Sequence, residues 1–225
     1  IYVSGNYTSA SVTFDAVTMV NPGNGSGAFL LKLDTSLTAV WAKGFSSDDN
    51  DEALGCSVDS YGNSVVTGIF SGNSLTIGGN VLNNNGGDEI FVAKYNPAGN
   101  LFWAKKIGKS GNDGANGCSI IDNGRIIIAG YYNSGSLTLG NIDLDNSFNG
   151  TSDPFIGRMC QPLTRTQNAT ACNSYTWTDG ITYTASTSSP AHCFANGGTS
   201  CDSIVRLNLT INTVDVSVTV SGPTL

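Results

Sequence analysis

The sequence predicts an all-β chain whose first two-thirds is one small antiparallel sheet made several times over. Three observations carry that expectation. Phe29, Lys32, Trp41 and Cys56 return 62 residues later as Phe91, Lys94, Trp103 and Cys118, and self-similarity at such a period marks a repeat architecture. Glycine makes up 28 of 225 residues while charged residues are only 12%, a composition that suits strands joined by tight turns. Short apolar-rich runs alternate with turn signals along the period.

The elements follow in order. Ile1-Tyr-Val-Ser-Gly5 matches Ser64-Val-Val-Thr-Gly68 and reads as the middle of a strand, so the chain is expected to be a piece of something longer that begins inside a repeat. Leu54–Asp59 and Ser64–Phe70 are strand-like runs joined by Ser60-Tyr-Gly-Asn63, where the next copy has Asp122-Asn-Gly-Arg125. Asn-Gly between two such runs is a strong hairpin signal. Ser74–Leu82, echoed by Ser136–Gly140, is expected to form a small extra hairpin on the rim. Ile90–Tyr95 and Leu101–Ile107 flank Asn96-Pro-Ala-Gly-Asn100, with Pro and Gly placed to reverse the chain. Four antiparallel strands per period make one β-propeller blade, with blades expected over about 1–63, 64–125 and 126–162.

The succession Gly62-Asn-Ser-Val-Val-Thr-Gly68, Asp88-Glu-Ile-Phe-Val-Ala-Lys-Tyr-Asn-Pro-Ala-Gly-Asn100 and Trp103-Ala-Lys-Lys-Ile-Gly108 resembles the bacterial SBBP (seven-bladed β-propeller) repeat. The resemblance covers roughly residues 1–160 and implies a partial β-propeller. A closed propeller needs at least about four blades, and about two and a half periods are present. Either upstream blades are missing, or the repeats stack openly as a solenoid-like array.

After residue 162 the pattern changes. Ile204, Arg206, Asn208 and Thr210 alternate with Val205, Leu207, Leu209 and Ile211, a strand buried on one face. Residues 163–212, with Cys172-Asn-Ser-Tyr-Thr-Trp177 and Cys201-Asp-Ser-Ile-Val-Arg-Leu-Asn-Leu-Thr-Ile211, resemble modules found in tandem in large surface proteins of gliding bacteria. Those proteins leave the cell through the type IX secretion system. The resemblance implies a small β-sandwich module stapled by a Cys172–Cys201 disulfide, which would leave Cys160 to pair with Cys193. Four cysteines crowded together in themselves point to disulfides and an oxidising, extracytoplasmic location, with three connectivities open. Residues 213–225 read as the first strand of a further immunoglobulin-like domain.

Several residues invite a chemical reading. The acidic loop Asp48-Asp-Asn-Asp51 is weighed as a Ca²⁺ site through Asp48, Asp49 and Asp51. The alternative is that Asp51, matched by Asp113 in the next copy, accepts backbone N–H bonds within a turn. Trp41 and Trp103 are expected to fill the space between neighbouring sheets rather than to stack on sugars. Lys32, Lys94 and Arg158 share one strand position and are expected to snorkel over the sheet face. Cys56 and Cys118 read as free thiols packed as small apolar groups. Asp202-Ser203-Ile204 matches the pattern that such bacteria O-glycosylate, with Ser203 as the acceptor. Asn-x-Ser/Thr matches at Asn6, Asn24, Asn149, Asn168 and Asn208 are of the kind chance supplies in such a composition.

Other chemistry is not signalled. His192 is the sole histidine, and neither a Ser-His-Asp constellation nor a Cys/His metal cluster surrounds it. Glu52 and Glu89 form no evident glycosidase pair, and the glycines follow neither a Walker nor a Rossmann pattern. The net charge of −7, with no basic cluster, argues against a nucleic-acid partner, and no apolar run reaches the ~20 residues of a membrane span. The expectation is a non-enzymatic surface or secreted repeat protein with an adhesive or structural role and no required cofactor. Its expected partners are secretion machinery, surface proteins or polysaccharide. The alternatives are a carbohydrate-binding region of a large exported enzyme, and an export cargo bound to its machinery.

Overall fold

The computed structural model describes residues 1–120, 125–139, 142–146, 150–160, 163–194 and 203–213; for 160, 163–165, 191–194, 203 and 204 it describes the backbone alone. The chain divides into two compact units, Ile1–Met159 and Cys160–Leu225. The described residues form strands and no helix, so none contains a helix long and apolar enough to cross a membrane.

The first unit begins with β1 (Tyr2–Tyr7), β2 (Ser11–Phe14), β3 (Val17–Val20), β4 (Gly27–Leu33) and β5 (Ala39–Phe45). A second stretch gives β6 (Asp51–Val58), β7 (Ser64–Phe70), β8 (Ser74–Ile77), β9 (Asn80–Asn83), β10 (Glu89–Tyr95) and β11 (Leu101–Ile107). A third gives β12 (Gly114–Ile120), β13 (Arg125–Tyr132), β14 (Ser136–Leu139), β15 (Ile142–Asp145) and β16 (Asp153–Cys160). The strands assemble into a first sheet ordered β1-β4-β5, a middle sheet β11-β10-β7-β6 and a last sheet β12-β13-β16. Each sheet has its own two-stranded hairpin, β2–β3, β8–β9 or β14–β15, inserted at the same point of the repeat. The extra hairpin expected at Ser74–Leu82 is therefore present.

The sheets are offset from the sequence period as divided above. The middle sheet runs from residue 51 to 107, not from 64 to 125. The reason is local: β6 turns directly into β7 through Asp59–Asn63, so these two strands must pair with each other. That turn recurs in sequence and geometry. The Asp34, Asp59 and Asn96 amides donate to the carbonyls of Thr38, Asn63 and Asn100. The side chains of Asp34, Asp59 and Asn96 each accept two backbone N–H bonds from within their turn. The fourth turn residue is left-handed, which suits Gly62 (φ 81°) and Gly99 (φ 80°), but the first copy places Leu37 there at φ 64°.

The three sheets stack face to face. Ala28, Leu30, Trp41 and Phe45 of the first sheet pack against Val66, Phe70, Phe91, Ala93 and Tyr95 of the middle one, closed off by Leu75, Ile77 and Leu82 of its hairpin. The other face of the middle sheet offers Val65, Ile90, Val92 and Ile107 to Ala115, Ile128, Tyr132 and Phe155 of the last. Covered on both faces, β10 is buried at all seven positions. Its apolar members Ile90, Phe91 and Val92 each contribute roughly 1.5–3 kcal/mol of transfer free energy.

The second unit is built differently. It contains β17 (Leu163–Cys172), β18 (Tyr175–Thr176), β19 (Thr182–Tyr183), β20 (Ala191–Phe194) and β21 (Ser203–Asn212). Strand β21 is central, antiparallel to β20 but parallel to β17 along ten residue pairs. The expected alternation is present: Val205, Leu207 and Leu209 are buried with Trp177, and the intervening residues are exposed. Trp177 is fixed by its indole N–H, which donates to Gln167 Oε1 at 3.0 Å. The strand expected over 213–225 falls almost wholly outside the described residues.

Candidate functional site

The acidic loop does not gather its carboxylates. Asp48 reaches across to the loop after β7, accepting Asn73 N at 2.8 Å and Asn73 Nδ2 at 2.6 Å. Asp49 accepts from Asn50 next to it. Asp51 turns inward, accepting Ser47 Oγ at 2.8 Å and Ser47 N at 2.5 Å, and is fully buried. Among the described residues no group of three or more His, Cys, Asp or Glu is placed to hold a metal ion. The three carboxylates weighed for Ca²⁺, Asp48, Asp49 and Asp51, thus accept hydrogen bonds from three different residues, and Asp51 accepts a backbone N–H within its own loop.

Asp113, the counterpart of Asp51, shows the same role more fully. Its Oδ2 accepts Lys109 N at 3.0 Å, while Oδ1 accepts the amides of Asn133 and Ser134 at 3.0 and 3.1 Å. These aspartates stitch loops at one end of the stack. Burial pushes the Asp51 carboxyl up to about 7, against the opposing Ser47 hydrogen bonds. Nearby, the buried Glu89 is raised by burial too, although the Lys106 ammonium at 3.0 Å draws it back down. Glu89 Oε2 has no hydrogen-bond partner.

Trp41 lies where the sequence places it, between sheets. Its indole donates to Pro97 O at 3.2 Å, Lys32 Nζ donates to the same oxygen at 2.7 Å, and the turn closes over the ring at Gly99. A methyl group on Gly99 would stand 3.0 Å from Trp41 Cδ2. Trp103 is half-buried against the last sheet, with an unpartnered indole nitrogen. Lys32 caps a turn and Arg158 is exposed, whereas Lys94 does not snorkel to the surface. It is only 5% exposed, and burial holds its ammonium below the ordinary lysine range. Val40 and Phe102 sit at the bulges opposite Lys32/Leu33 and Lys94/Tyr95, which turn them outward.

Cys56 and Cys118 are free, half-buried thiols packed against successive cores, as expected. Burial and the neighbouring Cys56 push the Cys118 thiol up to about 12, which makes it inert. Cys172 is an exposed free thiol. Cys201 and the side chains of Cys160, Cys193 and Ser203 lie outside the described residues, as does that of His192. The backbone register nevertheless sets Cys172 beside Asn212, at the end of β21 opposite Ser203.

One feature that composition and spacing did not signal is an open groove of 540 Å³ on the rim of the first unit. Strand β3 and the β8–β9 hairpin form its sides, with β5 and the start of β11 beneath. Thr18, Lys43, Thr76 and Asn100 give it polar groups, and Met19 and Ile77 apolar ones. A smaller hollow of 430 Å³ adjoins it at Thr76 and runs to Asp48. The groove arises because hairpins of successive sheets stand side by side, a relation between residues about sixty positions apart. No family model and no curated protein sequence matches the chain.

Proposed function

We propose that the first unit is a stretch of an SBBP-like β-propeller array and that the chain is a non-enzymatic interaction module of a secreted or surface-exposed bacterial protein. In this reading it is exported by the type IX route, and the second unit serves as a spacer. The observation that carries the reading is the stacking of equivalent sheets, each bearing the same rim hairpin, which makes a groove between neighbouring hairpins a repeatable feature. Shallow, mixed grooves bind weakly one at a time, and copies displayed together gain about 10²–10⁴ in avidity. Polar hydroxyls, an amide and one ammonium around a modest apolar floor suit polysaccharide or the polar surface of a protein partner.

The test is a panel of immobilised polysaccharides and bacterial surface proteins, probed with the chain singly and on multivalent beads. The reading expects retention that rises steeply with multivalent display and falls in Lys43→Ala and Thr76→Ala. Equal behaviour of the two displays on every surface would remove it. Micromolar single-site binding to one polysaccharide would instead favour the carbohydrate-binding accessory region, which the groove's hydroxyl lining also suits.

A further inference from the structure

The first sheet is one strand short of the middle one. Among the described residues strand β1 pairs with β4 alone, whereas its counterpart β7 pairs with β10 on one side and β6 on the other. Register fixes the correspondence, since Gly5 stands opposite Phe29 as Gly68 stands opposite Phe91. In the middle and last sheets the additional strand brings nearly the same sequence, Asn50-Asp-Glu-Ala-Leu-Gly-Cys-Ser57 and Asn112-Asp-Gly-Ala-Asn-Gly-Cys-Ser119. Both strands bulge between Ala and Gly, at Leu54 and Asn116.

The glycine opposite that bulge has a steric reason. A methyl group on Gly68 would lie 1.8 Å from Glu52 O, and one on Gly130 would lie 1.9 Å from Gly114 O. The incoming strand presses its carbonyl onto the bare Cα. Gly5 keeps the glycine without that neighbour: the three atoms nearest a methyl there all belong to the Phe29 ring, at 3.0 to 4.0 Å. The first sheet thus carries the receiving half of an interface whose other half is seen twice elsewhere in the molecule.

We propose that the open edge of β1 is a docking site for one more strand of this kind, Asn-Asp-x-Ala-x-Gly-Cys-Ser followed by Val or Ile. It runs antiparallel to β1 with its Asp opposite Tyr7, its Ala opposite Gly5 and its Ser opposite Tyr2, the register of β6 on β7. Ladder hydrogen bonds supply the affinity, and the fit over Gly5 of the carbonyl preceding the Ala, in the register that the bulge sets, supplies the selectivity. The occupant is the strand of a further repeat, because β6 and β12 of a second copy are already paired in their own sheets. The identity of the occupant rests on the repeat-array reading proposed above, whereas docking at this edge does not depend on the surface role.

The experiment titrates a reduced synthetic peptide with the sequence of residues 50–58 into the full chain, read by hydrogen exchange with mass spectrometry. The expected result is saturable slowing of exchange across Tyr2–Tyr7. A peptide lacking the bulge residue Leu54 should bind at least about tenfold more weakly, a loss of roughly 1.4 kcal/mol. The Gly5→Ala chain should lose binding to a similar extent. Changes on the peptide side leave the folded chain untouched, so the test survives any instability of that variant. Absence of protection at millimolar peptide, or equal protection by a scrambled sequence, overturns the proposal. So does protection of the same amides by self-association without peptide, since that gives the edge to a second copy.

Discussion

The middle sheet of the first unit and the central strand of the second reach burial by opposite routes. Strand β10 is buried at every residue because a sheet lies on each face, while β21 is buried only at alternate positions because one face is wet. The first arrangement multiplies contacts: Phe91 meets Phe45 of the first sheet with ring centroids 5.4 Å apart. The second concentrates its core in Trp177, Val205, Leu207 and Leu209. Stacked repeats share their cores with neighbours, whereas a small sheet must make its own. Pairing direction differs as well, since the repeats use short turns between antiparallel neighbours and β17–β21 needs the rest of the module as its crossover.

The largest expected effect is at the shared core. Phe91→Ala should cost about 3–5 kcal/mol in urea unfolding, and Leu207→Ala in the second unit about 2–5 kcal/mol. A loss at Phe91 clearly smaller than at Leu207 would break the contrast between a two-sided and a one-sided core.

Next comes pH. Because the folded-state value of Asp51 stands at about 7 against an ordinary 3.8, the folded chain holds the proton more tightly than the unfolded one. This contribution to stability is greatest below about pH 4 and is lost as pH rises through about 7. Thermal melts should therefore show the first unit losing stability across that window, with Asp51→Asn flattening the dependence. An unchanged slope in the variant would show that other carboxyls control it.

A smaller effect concerns the shared turn. Leu37→Gly should stabilise the chain by about 1 kcal/mol by relieving a left-handed backbone, whereas Gly99→Ala should destabilise it by straining the same position and crowding Trp41. Melting temperatures of the two variants should move in opposite directions.

The last prediction changes connectivity rather than energy. Nine strand residues separate the level of Ser203 from that of Cys172, about 30 Å at 3.3 Å per residue, and the two residues from Ser203 back to Cys201 span at most about 7 Å. Peptide mapping without reductant should recover Cys172 as a free thiol, with any bridge formed among the remaining cysteines. Recovery of a Cys172–Cys201 peptide would refute the parallel register.

Strand positions were legible because they depend on neighbours in sequence. The run Ile90–Tyr95 became Glu89–Tyr95, Leu101–Ile107 kept its bounds, and the extra hairpin formed at Ser74–Asn83. The place of Trp41 between sheets was legible too, from its apolar strand and its return at Trp103. The destination of Asp48 was not, since nothing near it in sequence announces Asn73. Nor did spacing reveal the rim groove, whose polar groups Thr18, Lys43, Thr76 and Asn100 come from four separate elements.

By itself the sequence determined the period, the turns and the alternation of buried and exposed residues, all set by torsional preference and side-chain polarity over a few residues. Tertiary structure alone decided that β6 joins β7 rather than the preceding sheet, that β17 runs parallel to β21, and that each acidic side chain serves a different loop. Those outcomes depend on which distant backbone edges and faces meet. That choice is made by the summed burial and hydrogen bonding of whole sheets, to which no single short segment holds the key.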